Sequence, residues 1–185
     1  MLVCGLLVFL IGSTHFVARQ DRKREEKGAA LVELTIEQKY DRFKDETTVK
    51  LKPQKIREIA KPREELSLSA EATYKGERPL RPKEVFLIFD SISEKYIYRD
   101  EAEVLFIVDG KRIEAGEAYA VTAFPGVTFE KVALKLTVPF DRFAEIANGK
   151  TVEMRLGKTE VILTPSTTAA IRAFAKAING ESKGG

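Results

Sequence analysis

Leu66-Ser67-Leu68-Ser69-Ala70-Glu71-Ala72-Thr73-Tyr74 alternates apolar and polar residues without a break. Side chains along a β-strand point to opposite faces with a period of two, so this stretch sets one face on a core and the other in water. The same alternation returns at Val132, Leu134, Leu136 and Val138, set against Lys131, Ala133, Lys135 and Thr137. Between them Val85-Phe86-Leu87-Ile88-Phe89 is apolar at every position, the composition of a central sandwich strand covered on both faces.

Working outward, Tyr96-Ile97-Tyr98, Val104–Val108 and Ala118–Thr122 continue the strand series. Asp109-Gly110 is a hairpin dipeptide, because its turn demands positive φ. Upstream, Leu31, Val32, Leu34 and Ile36 give a short strand, Tyr40–Asp45 a turn, and Thr47–Leu51 a second strand. Lys52–Glu65 carries Pro53 and Pro62 and is polar apart from Ile56 and Ile59, which reads as a long connection or an edge segment. Lys75–Pro82 is a turn.

Downstream the pattern changes. Phe140, Phe143, Ile146 and Ala147 share one face of a short helix that stops at Asn148-Gly149. Val152, Met154 and Leu156 run into Gly157-Lys158, from which Val161 and Leu163 return as a hairpin. Thr164-Pro165 then supplies an N-cap and a proline at the first helical position; Ile171, Phe174, Ala175 and Ile178 form one apolar face, and Asn179-Gly180 ends the helix. Eight to ten strands with the helices gathered late in the chain indicate a mainly β (α+β) fold. The expected architecture is an antiparallel β-sandwich with a short helix near 140–148 and a C-terminal helix near 165–178. No repeat at a fixed period is present.

Residues 1–12, MLVCGLLVFLIG, are uninterruptedly apolar, and a charged run follows from Arg19. The length is that of a signal-peptide core rather than of a secure spanning helix, which needs about 20 apolar residues. A charged block directly behind the run would be hard to bury in a domain core. Residues 1–18 are therefore expected to be a signal peptide or an N-terminal membrane anchor, 19–29 a charged linker, and 30–185 a single β-sandwich-like domain. No Lys or Arg precedes the apolar run, Phe16-Val17-Ala18 is a poor cleavage site, and Cys4 does not make a lipoprotein site. A start lying upstream of Met1 and an uncleaved anchor both accommodate those departures; in the second case the Arg19–Lys27 cluster would favour a cytoplasmic domain. The leading expectation is a periplasmic or secreted domain, with anchoring to the inner membrane through residues 1–18 as a variant.

Composition excludes whole classes of chemistry. Cys4 is the only cysteine and His15 the only histidine, both in the leader. The domain thus has no disulfide framework, Cys nucleophile, catalytic His or usual zinc ligand set. Of 31 cationic and 28 anionic residues, five and three precede residue 30, which leaves 26 against 25 for the domain. So even a mixture lacks the gathered cations of a nucleic-acid binder. No phosphate loop, nucleophile elbow, zincin or calcium loop occurs.

What remains is weakly specified. Two carboxylates at a suitable separation could hydrolyse glycosides, but so many carboxylates are accounted for equally well by solvation. Tyr96, Tyr98, Arg99 and Asp100 could hold a sugar or a peptide, while alternating tyrosines on a strand ordinarily pack half-buried. Asp41, Arg42, Asp45 and Thr47 are polar enough to meet a cation, yet the interspersed Arg and Lys compete for the carboxylates. The sequence names no catalytic, cofactor-binding or metal-ligating residue and calls for no cofactor. The expected function is a non-enzymatic cell-envelope module that binds a protein, glycan or lipid or serves structurally; the alternative is a secreted, glycosidase-like hydrolase with paired carboxylates.

Phe140-Asp141-Arg142-Phe143-Ala144-Glu145-Ile146-Ala147, Val152-Glu153-Met154-Arg155-Leu156-Gly157 and the capped helix, with Tyr40–Val49 upstream, resemble exported bacterial β-domains of unassigned activity. The resemblance implies a secreted or envelope β-sandwich and carries over no functional residue.

Overall fold

The computed structural model describes residues 35–78, 80–94, 97–98, 101–124, 126 and 128–180. The chain divides into two units, Met1–Leu34 and Thr35–Gly185, and all described residues belong to the second. The expected leader and the start of the first expected strand, Leu31–Leu34, lie outside the described residues.

Among the described residues the fold is mainly antiparallel β, with nine strands and with two helices at the expected places. The strands follow in chain order: β1 Ile36–Asp41, β2 Glu46–Ile59, β3 Glu64–Lys75, β4 Glu84–Ser93, β5 Glu101–Val108, β6 Lys111–Phe124, β7 Glu130–Pro139, β8 Val152–Leu156 and β9 Thr159–Ile162. Helix α1 (Phe140–Asn148) separates β7 from β8, and α2 (Pro165–Ile178) closes the domain. The two sandwich faces are realised as one continuous sheet, ordered β1-β2-β3-β4-β7-β6-β5-β8-β9. β2 and β9, near opposite ends of that order, touch each other, so the sheet curls around a single interior.

That interior is filled by the alternating residues that opened the sequence. Leu66, Leu68, Ala70 and Ala72 of β3 face inward beside Val85, Leu87 and Phe89 of β4 and Val132, Leu134, Leu136 and Val138 of β7. A core of this kind stabilises through apolar area taken from water, roughly 25 cal/mol per Å². The helices pack at the end of the sheet where β7 stops: α1 lies against β7, β4 and β5, and α2 against α1 and β2. The Phe143 and Phe174 rings meet edge to face at 5.8 Å. Ile171, Phe174, Ala175 and Ile178 are all buried, as the sequence indicated. Thr164 caps α2 by accepting from the Thr167 N–H at 3.2 Å.

Three local expectations change. The segment after Leu51 is not a long connection, because β2 continues to Ile59 and only residues 60–63 turn. Pro53 is tolerated because it sits inside a register shift between Leu51 and Gln54, where no ladder bond is required of it. β1 extends to Asp41, so the Tyr40–Asp45 turn narrows to residues 42–45. Ile97 and Tyr98 lie outside any strand; Tyr96 falls outside the described residues, and β5 starts at Glu101.

Candidate functional site

Of the sequence candidates, Tyr98 is buried and its hydroxyl donates to Thr159 Oγ1 at 2.7 Å. Burial raises its pKa, with the Thr159 bond acting in the opposite sense. Its ring is thus a structural plug; Tyr96, Arg99 and Asp100 lie outside the described residues. The Asp41–Thr47 group satisfies itself. Asp41 Oδ1 accepts from Phe43 N at 2.9 Å, Asp45 Oδ1 accepts from the Tyr40 hydroxyl at 2.9 Å, and buried Thr47 donates to Gly76 O at 2.7 Å. Among the described residues no group of three or more potential ligands is placed to hold a metal ion.

Two further clusters were not foreseen. At the end of the sheet away from the helices, Glu64, Ser93 and Glu130 stand side by side on β3, β4 and β7, facing inward. Arg57 Nε donates to Glu64 Oε1 at 2.8 Å, so one member of this carboxylate pair is already neutralised. Glu130 Oε2 is buried without a hydrogen-bond partner. On the outer face of β5, β8 and β9 a groove of about 460 Å³ runs past Leu105, Ile107 and Ile162, with Arg112 and Arg155 mixed among Glu153 and Glu160. Its charges of both signs select no ligand.

The most distinctive surface is the outer face of β4, β7 and β6. Pairing aligns Ile88 with Lys135 and Lys135 with Tyr119 in one row, and Ile92 with Lys131 and Lys131 with Phe124 in another. Each lysine is thereby flanked on both sides by an apolar residue. Phe124 is 64% exposed, Val121 49% and Tyr119 47%. Lys135 Nζ lies 3.6 Å from the centre of the Phe86 ring, a cation–π contact. Asp90, between the rows opposite Ala133, sets a carboxylate on this face, and Glu84 of β4 and Glu117 of β6 are exposed on it as well. Although Asp90 keeps much of its surface in water, crowding of its carboxyl by protein raises its pKa.

This surface was invisible to pattern reading for a physical reason. An unbroken alternation would put Tyr119 and Phe124 on opposite faces; the register shift between Ala120 and Thr122 brings both to the outer face, and only the strand pairing reveals it. No helix among the described residues is long and apolar enough to cross a membrane. Comparison with family models, with curated proteins and with solved structures finds no match for this chain.

Proposed function

We propose that the protein is an exported or membrane-tethered cell-envelope domain that acts by binding or as a structural element, not by catalysis. The observation that carries the binding part is the outer face of β4, β7 and β6, where aromatic and aliphatic side chains stand in water. Large apolar side chains gathered in the open on one face are the mark of an interaction surface. The export part rests on the apolar run at residues 1–12 ahead of the charged run from Arg19.

A packed, mainly apolar interior supports a binding or structural role, its inward carboxylates Glu64 and Glu130 being confined to the end away from the helices. A hydrolase built on two carboxylates would need Glu64 released from Arg57. A reporter that is active only outside the inner membrane, fused after Gly185 of the full chain, tests the compartment. Activity of the fusion is expected; a silent fusion of normal abundance would place the domain in the cytoplasm and overturn the reading.

A further inference from the structure

We propose that the outer face of β4, β7 and β6 rests on an anionic lipid surface, with Phe124, Val121 and Tyr119 entering the interfacial region and Lys131 and Lys135 meeting the headgroups. The inference rests on the tethered form of the reading above and names the partner of the face described there.

Four observations point to lipid. Ala118 to Phe129 contains no charged residue, in a chain where 32% of residues are charged. The structure nonetheless leaves Tyr119, Val121 and Phe124 of that run exposed. Second, the lysines do not rim a separate patch but stand between the apolar residues, Lys131 beside Phe124 and Lys135 beside Tyr119. A lysine stem can lie along apolar neighbours while its ammonium reaches a phosphate, and tyrosine suits a boundary that is apolar on one side and wet on the other. A protein partner would need fixed acceptors at both ammonium positions, whereas an anionic headgroup layer offers them everywhere.

Third, the exposed aromatic Phe124 lies in the row of Ile92 and Lys131, close to the sheet end that is opposite the helices. β1 runs away from that end, from Ile36 beside Leu51 to Asp41 beside Glu46. The chain therefore enters the sheet heading from the Phe124 end toward the helices. Fourth, sixteen residues, 19–34, stand in the sequence between the expected anchor (residues 1–18) and the described domain, a length of chain whose full extension is about 55 Å.

The chain contains no tryptophan, so one introduced residue reports a single position. Full-length Phe124→Trp and Phe43→Trp proteins are compared; Phe43 is 88% exposed in the β1–β2 turn, at the helix end. Each is mixed with vesicles of phosphatidylethanolamine and phosphatidylglycerol, with and without brominated acyl chains. A blue shift and bromine quenching at Phe124→Trp, without either at Phe43→Trp, is expected. Adding Lys131→Glu and Lys135→Glu should reduce the Phe124→Trp shift on these vesicles.

Co-sedimentation of the chain with vesicles while Phe124→Trp keeps a solvent-like spectrum would overturn the inference and leave the tethered reading standing. Failure to co-sediment, with no shift, would overturn both. A blue shift that grows with protein concentration in the absence of lipid would assign the face to a second copy of the chain, again overturning it.

Discussion

Asp109 and Thr151, on separate turns at the helix end of the sheet, are joined three times: Asp109 Oδ1 accepts from the Thr151 backbone N–H at 2.8 Å and from its hydroxyl at 3.0 Å, and the Asp109 N–H donates to Thr151 O at 3.0 Å. The same carboxylate accepts from Lys150 N at 3.0 Å. One side chain therefore fixes the β5–β6 turn against the segment that leads from α1 into β8. Asp109 can hold this position because its own φ is 49°, a conformation that aspartate tolerates better than most residues.

Those backbone donors, Thr151 first and Lys150 next, hold the Asp109 carboxyl below the usual carboxylate range. A group whose folded pKa is depressed stabilises the fold above its unfolded value and loses that effect as pH falls through the folded one. Asp109→Ala is expected to lower the urea midpoint at neutral pH, and the difference from the parent protein should shrink toward acid. Denaturation curves over a series of acidic buffers check it, and a difference independent of pH would assign the effect to packing alone.

At the other end of the sheet the sign reverses. Burial raises the Tyr98 pKa, so the unfolded chain releases its phenolic proton first and stability falls as pH climbs above the ordinary tyrosine value. Tyr98→Phe should cost about 1 kcal/mol at neutral pH through the lost bond to Thr159. It should also flatten part of the alkaline slope, with Tyr74, likewise raised by burial, retaining another part. Urea midpoints at neutral and alkaline pH give both quantities.

The edge-to-face contact of Phe143 and Phe174 joins α1 to α2 beneath the curled sheet. Both rings are buried essentially completely. Phe174→Ala should destabilise by about 3–5 kcal/mol, the range for an aromatic removed from a packed core. Chemical denaturation measures it, and a loss under about 1 kcal/mol would mean that the helices are not integral to the core.

Arg172 of α2 reaches the end of α1, with Nη2 donating to Gly149 O at 2.7 Å and Nε to Ala147 O at 3.3 Å. A cation at a helix C-terminus satisfies carbonyls that lack intrahelical partners and complements their partial negative charge. Arg172→Met keeps much of the stem and removes these bonds, at an expected cost of about 2 kcal/mol. Hydrogen exchange should show the last turn of α1 losing protection before the sheet does.

How much of this the sequence carried depends on what each segment buries. Leu66–Tyr74 and Val132–Val138 announce themselves because one face meets the core and the other meets water. The helices were legible from their caps and spacing, down to Thr164 and Pro165. β2 beyond Leu51 was not, since Lys52, Lys55 and Glu58 are exposed and two register shifts break the alternation. The candidate site was hidden differently. Alternation alone would set Tyr119 and Phe124 on opposite faces; their shared outward direction follows from the register shift between them and from Lys135 and Lys131 opposite them, information that resides in pairing across strands. Glu64 and Glu130 likewise meet around Ser93 only through the order β3-β4-β7.

Compartment is the premise on which the binding role depends, and the N-terminus of the mature protein reports it most directly. Intact mass and N-terminal sequencing of the protein from separated cell fractions are expected to show a chain beginning after residue 12 outside the inner membrane, or an uncut chain in the membrane fraction. An uncut, soluble chain in the cytoplasm would contradict the proposal, because residues 1–18 would then belong to the fold or to an interface rather than to export or a membrane anchor.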